Sequence, residues 1–276
     1  KKYITGPGGK GSNQAIAASR AGGDVSFVTK LGKDNYADMA LKLYQEAGVN
    51  TQAVILDSNL NTGAAGILIN QQTGENAINV IPGAAATIDH KFIDDNLSII
   101  KNSKIFLTQL ETSIDATMYA LKMAKENGCS TILNPAPARN LPDDCFENID
   151  IFTPNETEAS FFINQSIESE KDCQSAAKVL LDKGVKNILI TLGDKGCFFK
   201  NQEEEFLLPA KKFSVPVVDT TGAGDAFNGA FSVALSKNKN YKEAIEFANL
   251  VAGISVTREG AANSMPTIDE IEQNLQ

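Results

Sequence analysis

The chain has 276 residues, of which 42% are hydrophobic, and it carries a formal net charge of -9. This length and apolar content are sufficient to bury a substantial core in one large domain. The negative charge disfavours nucleic acid as a partner, because a protein that binds a polyanion needs a basic face. The sequence also lacks an apolar run of the roughly eighteen residues that a membrane-spanning helix requires.

Cysteine and histidine usage narrows the chemistry. Four cysteines are scattered along the chain, at Cys129, Cys145, Cys173 and Cys197. Without a CxxC pair they indicate neither a zinc site nor a disulfide framework, and Lys1–Thr5 lacks the apolar run of a signal peptide, so we expect a cytoplasmic protein with reduced thiols. The single histidine, His90, lies in a polar segment and is expected at the surface, which leaves proton transfer to carboxylates and lysines.

Apolar runs of strand length alternate with helical patterns along most of the chain. In chain order the predicted elements are Val25–Leu31 (strand), Ala37–Ala47 (helix), Lys104–Thr108 (strand), Ile114–Glu126 (helix), Thr131–Leu133 and Ile149–Phe152 (strands), a helix from Glu158, the segment Ala176–Leu181, Asn187–Leu192 (strand), and helices from Ala223 and Tyr241. This βαβ rhythm predicts an α/β fold in which helices cover both faces of a mostly parallel central sheet.

One hairpin interrupts the rhythm. The segments Thr62–Asn70 and Asn76–Ile81 interleave apolar with small and polar residues, and the turn Gln71–Glu75 joins them. We expect a small β-sheet lid, built from about residues 1–8 and 62–82, on a single domain that spans residues 1–276.

A glycine-rich turn in Val217–Gly229 is the strongest chemical signal. A predicted strand leads through Gly222 and Gly224 into a helix, so backbone N–H groups and the positive end of the helix dipole converge on one point. Asp225 would repel an anion held there unless the chemistry needs a base beside it. The alternative is that Asp225 only caps the helix.

A second glycine run, Gly6–Ala15, precedes an alanine-rich helix. Gly6, Gly8 and Gly11 match the letters of a dinucleotide-binding fingerprint, but no predicted strand precedes them, so a dehydrogenase is a distant alternative. Lys10 and Asn13 could instead donate hydrogen bonds to a polyhydroxyl ligand.

Two further segments end predicted strands. In Thr153–Glu158, Asn155 and Glu158 face the same way in a helix's first turn, which suits Mg²⁺ and a nucleotide phosphate, although capping is an equal alternative for Asn155 and plain surface charge for Glu158. Ile190–Gly196 ends a strand that should lie beside the one leading to Asp225, where ligands of parallel sheets bind, although it also fits an ordinary turn.

Together these segments resemble the ribokinase family of sugar kinases. Gly8–Ala15 is similar to the family's first signature and Asp219–Asp225 to its second, and the likeness extends from Gly8 to Ser264. Two long motifs in the expected order are more specific than either glycine run alone.

The resemblance implies a role for each matching residue. Sugar binding is implied for Gly9, Lys10, Asn13, Glu111 and Asp225. An ATP site is implied for Asn155, Thr191, Gly193, Gly196, Gly224 and Asn249, and Glu158 would organise Mg²⁺. Catalysis is implied for Gly222, Ala223 and Gly224, which would steady the phosphoryl group, and for Asp225 as the base.

A monovalent-cation loop is also implied, because Ser255–Ser264 resembles that of the family. The K⁺ site would comprise Asp219, Thr221, Ser255, Arg258, Gly260 and Ser264. The cation would fix the glycine turn without touching substrate. Asn134–Arg139 resembles the stretch found in ribokinases proper, which favours a pentose.

The resemblance thus implies an ATP-dependent kinase acting on the primary 5-hydroxyl of D-ribose, with a homodimer joined through the lid. The family's first strand, whose Asn-x-Asp pair grips the sugar, has no counterpart in this chain. A kinase of 2-deoxyribose or another small sugar, and a non-catalytic sugar- or nucleotide-binding homologue, therefore stay open.

Overall fold

The computed structural model describes residues 5–69 and 76–275 and has an α/β architecture. The helices of the described residues are α1 (Lys10–Arg20), α2 (Asn35–Ala47), α3 (His90–Asp95), α4 (Leu97–Lys101), α5 (Ile114–Glu126), α6 (Glu156–Ile163), α7 (Glu170–Asp182), α8 (Ala223–Ser236), α9 (Tyr241–Ser255) and α10 (Ile268–Gln273). The strands are β1 (Thr29–Gly32), β2 (Val54–Asp57), β3 (Ala64–Ile69), β4 (Asn76–Ile81), β5 (Ile105–Thr108), β6 (Ser130–Leu133), β7 (Ile151–Phe152), β8 (Asn187–Thr191), β9 (Cys197–Lys200) and β10 (Glu205–Leu208).

The central sheet has six strands in the order β10-β9-β8-β7-β6-β5. Strands β5 to β8 are parallel, and β9 and β10 extend the sheet antiparallel. Strands β1 and β2 form a separate parallel pair, and β3 and β4 form an antiparallel hairpin apart from the main sheet. The predicted parallel core and the separate hairpin are therefore confirmed.

The central sheet is buried on both faces because its middle strands are apolar throughout. Along β8, Ile188 and Ile190 join one hydrophobic cluster, which contains residues of α7, while Leu189 joins another, which contains residues of α1, α8 and α9. Successive side chains of a strand point to opposite faces, so this division puts helices on both sides of the sheet.

Close packing of α1 on α8 sets the geometry of the site. At Gly229 a Cβ atom would lie 2.7 Å from the Cβ of Ala17 and 2.7 Å from the carbonyl oxygen of Gln14. Only glycine permits this approach, which brings the first turns of the two helices together. None of the helices in the described ranges is long and apolar enough to cross a membrane.

Some predicted elements differ in the structure. The strand predicted to lead from Val217 towards the glycine turn, and its place beside β8, are wrong. Pro216 has no N–H to donate, and Val218 and Asp219 both donate to the one carbonyl oxygen of Val256, so no strand ladder forms. Val25–Leu31 forms a strand only from Thr29. Residues 5–8 form no lid strand, and residues 1–4 and the turn Gln71–Glu75 lie outside the described residues.

Candidate active site

Asp225 lies in the first turn of α8 but does not cap it. The N-cap residue is Gly222, with φ of 79°, and the helix start has no side-chain cap. The Asp225 carboxylate is buried, and its Oδ2 and Oδ1 accept hydrogen bonds from Asn13 Nδ2 at 2.8 Å and Gln14 Nε2 at 2.9 Å. The capping alternative is therefore wrong, and the carboxylate faces α1.

Burial raises the pKa of Asp225 above the usual value for an aspartate. The positive charge of Lys10 and the hydrogen bonds from Asn13 and Gln14 act in the opposite direction without cancelling the effect of burial. Its two hydrogen-bond partners are neutral amides. The environment therefore makes Asp225 a stronger base than an exposed aspartate while still supporting its ionised form.

The start of α8 leaves space for an anion beside Asp225. The first turn of a helix has N–H groups without intrahelical acceptors, and of these the N–H of Ala223 donates to the carbonyl oxygen of Thr220 at 3.2 Å. A Cβ atom at Gly224 would meet nothing within 4 Å. Gly224 thus opens onto free space at the positive end of the helix dipole.

The predicted sugar-binding residues lie together at the start of α1. The backbone N–H of Lys10 donates to Glu111 Oε2 at 2.8 Å, and Gly9 adopts a φ of 90° at the helix N-cap. Burial raises the pKa of Glu111, against the backbone hydrogen bond and the charge of Lys10. The Oδ1 atom of Asn13 is buried without a hydrogen-bond partner, and such an acceptor needs a donor such as a ligand hydroxyl.

Asn155 and Glu158 form a capping box at the start of α6. The Asn155 side chain accepts from the N–H of Glu158 at 2.8 Å, and Glu158 Oε2 accepts from the N–H of Asn155 at 2.9 Å. The capping alternative for Asn155 is confirmed. Burial raises the pKa of Glu158, while the charge of Lys10 lowers it. The charge of Lys10 lowers the pKa of Asp225, Glu111 and Glu158, so all three carboxylates lie within its electrostatic reach.

The predicted nucleotide residues gather at the carboxyl ends of β7 and β8. Thr191 bridges to Asn155, and its N–H donates to the carbonyl oxygen of Pro154 at 3.0 Å. Gly193, with φ of 59°, and Gly196, with φ of 102°, form the turn that follows. Nucleotides bind at this edge of parallel sheets.

Asn249 on α9 faces the residues that follow this turn. Its Nδ2 donates to the carbonyl oxygen of Pro209 at 3.4 Å and contacts Cys197 Sγ at 3.8 Å. Cys197 directly follows Gly196, so Asn249 joins the predicted nucleotide set.

Asp219 connects the glycine turn to the predicted cation loop. Its Oδ1 accepts from the N–H of Thr221 at 2.9 Å and its Oδ2 from the N–H of Gly260 at 3.0 Å. Burial opposes ionisation of Asp219, but hydrogen bonds from Thr221 and Gly260 prevail and lower its pKa. The turn before α8 is thus tied to the loop after α9.

The other loop residues are held by their own contacts. Ser255 and Ser264 are buried, with hydroxyls that donate to Ala252 and Ala261 carbonyl oxygens. The Arg258 side chain donates to the Ser264 carbonyl oxygen at 3.0 Å and pairs with Glu270. A guanidinium cannot bind a cation, so only backbone oxygen of Arg258 suits the predicted role.

Several buried polar residues next to Asp225 lie outside the set of site residues predicted from the sequence. Gln14 contacts the carboxylate directly, and Asn134, Thr153 and Asn228 continue the hydrogen bonding away from it. Their signal was a polar side chain on an otherwise apolar helix face or strand end. His90, by contrast, is half exposed, pairs with Asp115 and stacks on Tyr119, as expected of a surface residue.

Comparison with known proteins agrees with this geometry. Residues 1–268 match the pfkB family of carbohydrate kinases, and the chain belongs to this family. It is 38% identical to a ribokinase of Haemophilus influenzae over 100% of this chain and 89% of that protein. It is 35% identical to a deoxyribokinase of Salmonella typhi over 99% of this chain and 89% of that protein.

A solved relative extends the comparison to the fold. The structure of Arabidopsis thaliana ribokinase complexed with ribose and ATP matches with a TM-score of 0.94 at 32% identity, over 100% of this chain and 89% of that one. The chain is accordingly a phosphotransferase that acts on a hydroxyl group of a sugar.

Proposed function

We propose that this protein transfers the γ-phosphoryl group of ATP to the primary 5-hydroxyl of D-ribose. The observation that carries the proposal is the buried carboxylate of Asp225 at the glycine opening of α8, beside the unpaired acceptor atom of Asn13. The ribokinases of Haemophilus influenzae and Arabidopsis thaliana support ribose as the substrate.

The chain's own groups account for the transfer. Asp225 accepts the proton of the sugar hydroxyl while the hydroxyl oxygen forms a bond to the γ-phosphorus. The bond from the γ-phosphorus to the bridging oxygen breaks, and ADP leaves with that oxygen. The open first turn at Gly224 stabilises charge on the phosphoryl oxygens. Gly9, Lys10, Asn13 and Glu111 hold the sugar, so the hydroxyl is oriented before it reacts.

The acidic residues fit the implied metals. In residues 5–69 and 76–275, no group of three or more His, Cys, Asp and Glu side chains could hold a metal alone. Mg²⁺ commonly takes one or two carboxylates plus phosphate oxygens, so Glu158 suits it. Asp219, whose lowered pKa keeps it ionised, and the 255–264 loop suit K⁺. When bound, these cations supply positive charge at the phosphates and beside the glycine turn.

The β3–β4 hairpin acts as the lid in this proposal, closing over the sugar so that water does not accept the phosphoryl group. We also propose a cytoplasmic location, supported by four buried cysteines that are all free thiols. A homodimer that uses the hairpin completes the proposal.

A 2-deoxyribose kinase is the second candidate, because the deoxyribokinase of Salmonella typhi is nearly as similar as the ribokinases. ADP release with ribose, 2-deoxyribose and other pentoses, with Mg²⁺ and either K⁺ or Na⁺, separates the candidates. We expect ribose to give the highest kcat/KM, and a higher value for 2-deoxyribose would favour the second candidate.

Asp225→Asn tests the proposed base. We expect turnover to fall by about 10² to 10⁴ with a modest change in ATP affinity, because only proton transfer is lost. Full turnover in this variant would remove Asp225 from the mechanism. Ribose binding by calorimetry without product in the wild type would support a non-catalytic homologue.

A further inference from the structure

The carboxylate of Asp225 belongs to a buried chain of hydrogen bonds that begins at Gln14. Gln14 Nε2 donates to Asp225 Oδ1 at 2.9 Å and to Asn134 Oδ1 at 3.0 Å, while Gln14 Oε1 accepts from Gln109 Nε2 at 2.5 Å. Every hydrogen-bonding group of this amide is used, and the residue is 1% exposed. A side chain held in this way has one orientation.

The chain continues across the site and returns to α8. Asn134 Nδ2 donates to the carbonyl oxygen of Thr153 at 2.9 Å, and Thr153 Oγ1 donates to Asn228 Oδ1 at 2.6 Å. Asn228 Nδ2 donates to the carbonyl oxygen of Gly224 at 2.8 Å. Gly224 precedes Asp225, so the hydrogen bonds close a ring through α1, the ends of β6 and β7, and α8.

The main-chain carbonyl groups fix the direction of this ring. A carbonyl oxygen can only accept, so Asn134 must turn its NH₂ group to Thr153 and its Oδ1 to Gln14. Gln14 must then present its NH₂ group to Asn134, and the second N–H of that group faces Asp225. The ring therefore presents a donor, not an acceptor, to the carboxylate.

We propose that Gln14 is a positioning residue for Asp225, oriented in turn by Asn134 and the main-chain carbonyl of Thr153, and that it holds the carboxylate in one orientation and in its ionised form. This inference rests on the proposed role of Asp225 as the base. A purely structural network would hold α1 on α8 without affecting protonation, and the pH dependence of turnover separates the two roles.

The expected pH effect has a definite sign. Asp225 must be ionised to accept a proton, so activity is lost as the pH falls through its pKa. The hydrogen bond from Gln14 lowers this pKa, and the charged groups around Asp225 are Lys10, Glu111 and Glu158. Removing the donor leaves those charges in place and raises the pKa of Asp225. The acid limb of the profile should then move to higher pH.

The test compares Gln14→Met, which keeps roughly the same volume without a donor, with the wild type. We expect kcat to fall about 10-fold to 100-fold, and the acid limb of kcat/KM to move up by about one pH unit, because a hydrogen bond to a charged group is lost. Gln14→Glu, which places a second carboxylate against Asp225, should lose more activity. Ser232→Ala is the matched control, since this buried hydroxyl on α8 donates only to Gly229 within its own helix.

Each outcome bears on one claim. A folded Gln14→Met variant with the wild-type pH profile would overturn the positioning role and leave Asp225 as the base, whereas full turnover in Asp225→Asn would remove the base itself. If Gln14→Met does not fold, Asn134→Leu removes the acceptor that orients the Gln14 amide and breaks the ring one step away. A smaller shift of the acid limb in the same direction supports the inference, and an unchanged limb overturns it.

Discussion

Replacing Gly224 should change stability and activity in opposite directions. In the helix α8, Gly224→Ala should raise the free energy of unfolding by up to about 1 kcal/mol, because alanine loses less backbone entropy on folding. Apart from its chain neighbours and the backbone of its own helix, the added methyl group would meet no protein atom within 4 Å, yet it would occupy the space that we assign to the phosphoryl group. We therefore expect turnover to fall by about 10²-fold or more. Steady-state kinetics and urea unfolding of the same variant measure the two effects.

Gly229 provides the contrast on the same helix. In Gly229→Ala the new Cβ atom would approach the Cβ of Ala17 to 2.7 Å, so this variant should be less stable than the wild type. A Gly224→Ala enzyme with wild-type turnover would show that the phosphoryl group does not pass over Gly224.

The position of Asp225 could be predicted from the sequence, but its partners could not. The glycine spacing and the start of a helix are local features, so they place the carboxylate beside an anion site. The hydrogen bond from Asn13 joins residues 212 positions apart and depends on how α1 packs on α8. The local pattern marks Gln14 as a polar residue on an apolar helix face, but it does not indicate that the same packing would bring its amide to the carboxylate.

At the scale of elements, strands predicted from apolar runs are present where the run pairs with neighbouring strands and packs into the core. Ile188 to Ile190 lie in the middle of the central sheet, and the sequence predicted their strand. Val217 and Val218 are β-branched like Ile188 and Ile190, but they are exposed and follow Pro216. Strand propensity reflects burial and cross-strand contacts, which a local pattern does not contain.

The ion pair between Arg258 and Glu270 joins the proposed cation loop to α10. Hydrogen bonds from Arg258 are the main reason why the pKa of Glu270 falls to about 2. Because this pKa lies below the unfolded value, the pair contributes stability above about pH 4.5 that is lost as the pH falls towards 2. The side chains are 36% and 40% exposed, so solvent weakens the interaction.

Glu270→Gln should therefore lower the free energy of unfolding at pH 7 by about 0.5 to 1 kcal/mol, with the difference from wild type vanishing near pH 2. Glutamine can keep the capping box with Thr267, so the change isolates the charge. Glu243→Gln in the capping box of α9 is the matched control, and urea unfolding across this pH range is the measurement. An equal loss in both variants at every pH would mean that the pair with Arg258 contributes nothing.

At the scale of the whole molecule, the β3–β4 hairpin exposes apolar side chains on both of its faces. A two-stranded sheet is marginally stable by itself. Its register places Ile67 and Val80 on one face and Leu68 and Ile81 on the other, and these four side chains are 51% to 75% exposed. Because both faces carry exposed apolar side chains, we expect each face to be covered by a different surface. We propose that one face closes over the sugar site and that the other contacts a second copy of the chain.

We therefore expect a dimer in sedimentation experiments, and a variant with Leu68→Asp and Val80→Asp, one charge on each face, should be monomeric. A buried carboxylate without a partner would cost more than the contacts of the hairpin supply. Val179→Asp is the control, because Val179 is an exposed apolar side chain on α7, outside the hairpin. A monomeric wild type would refute the dimer, and a dimeric double variant would place the interface elsewhere. Since the hairpin would serve both the partner and the sugar, the monomeric variant should also show a higher KM for ribose.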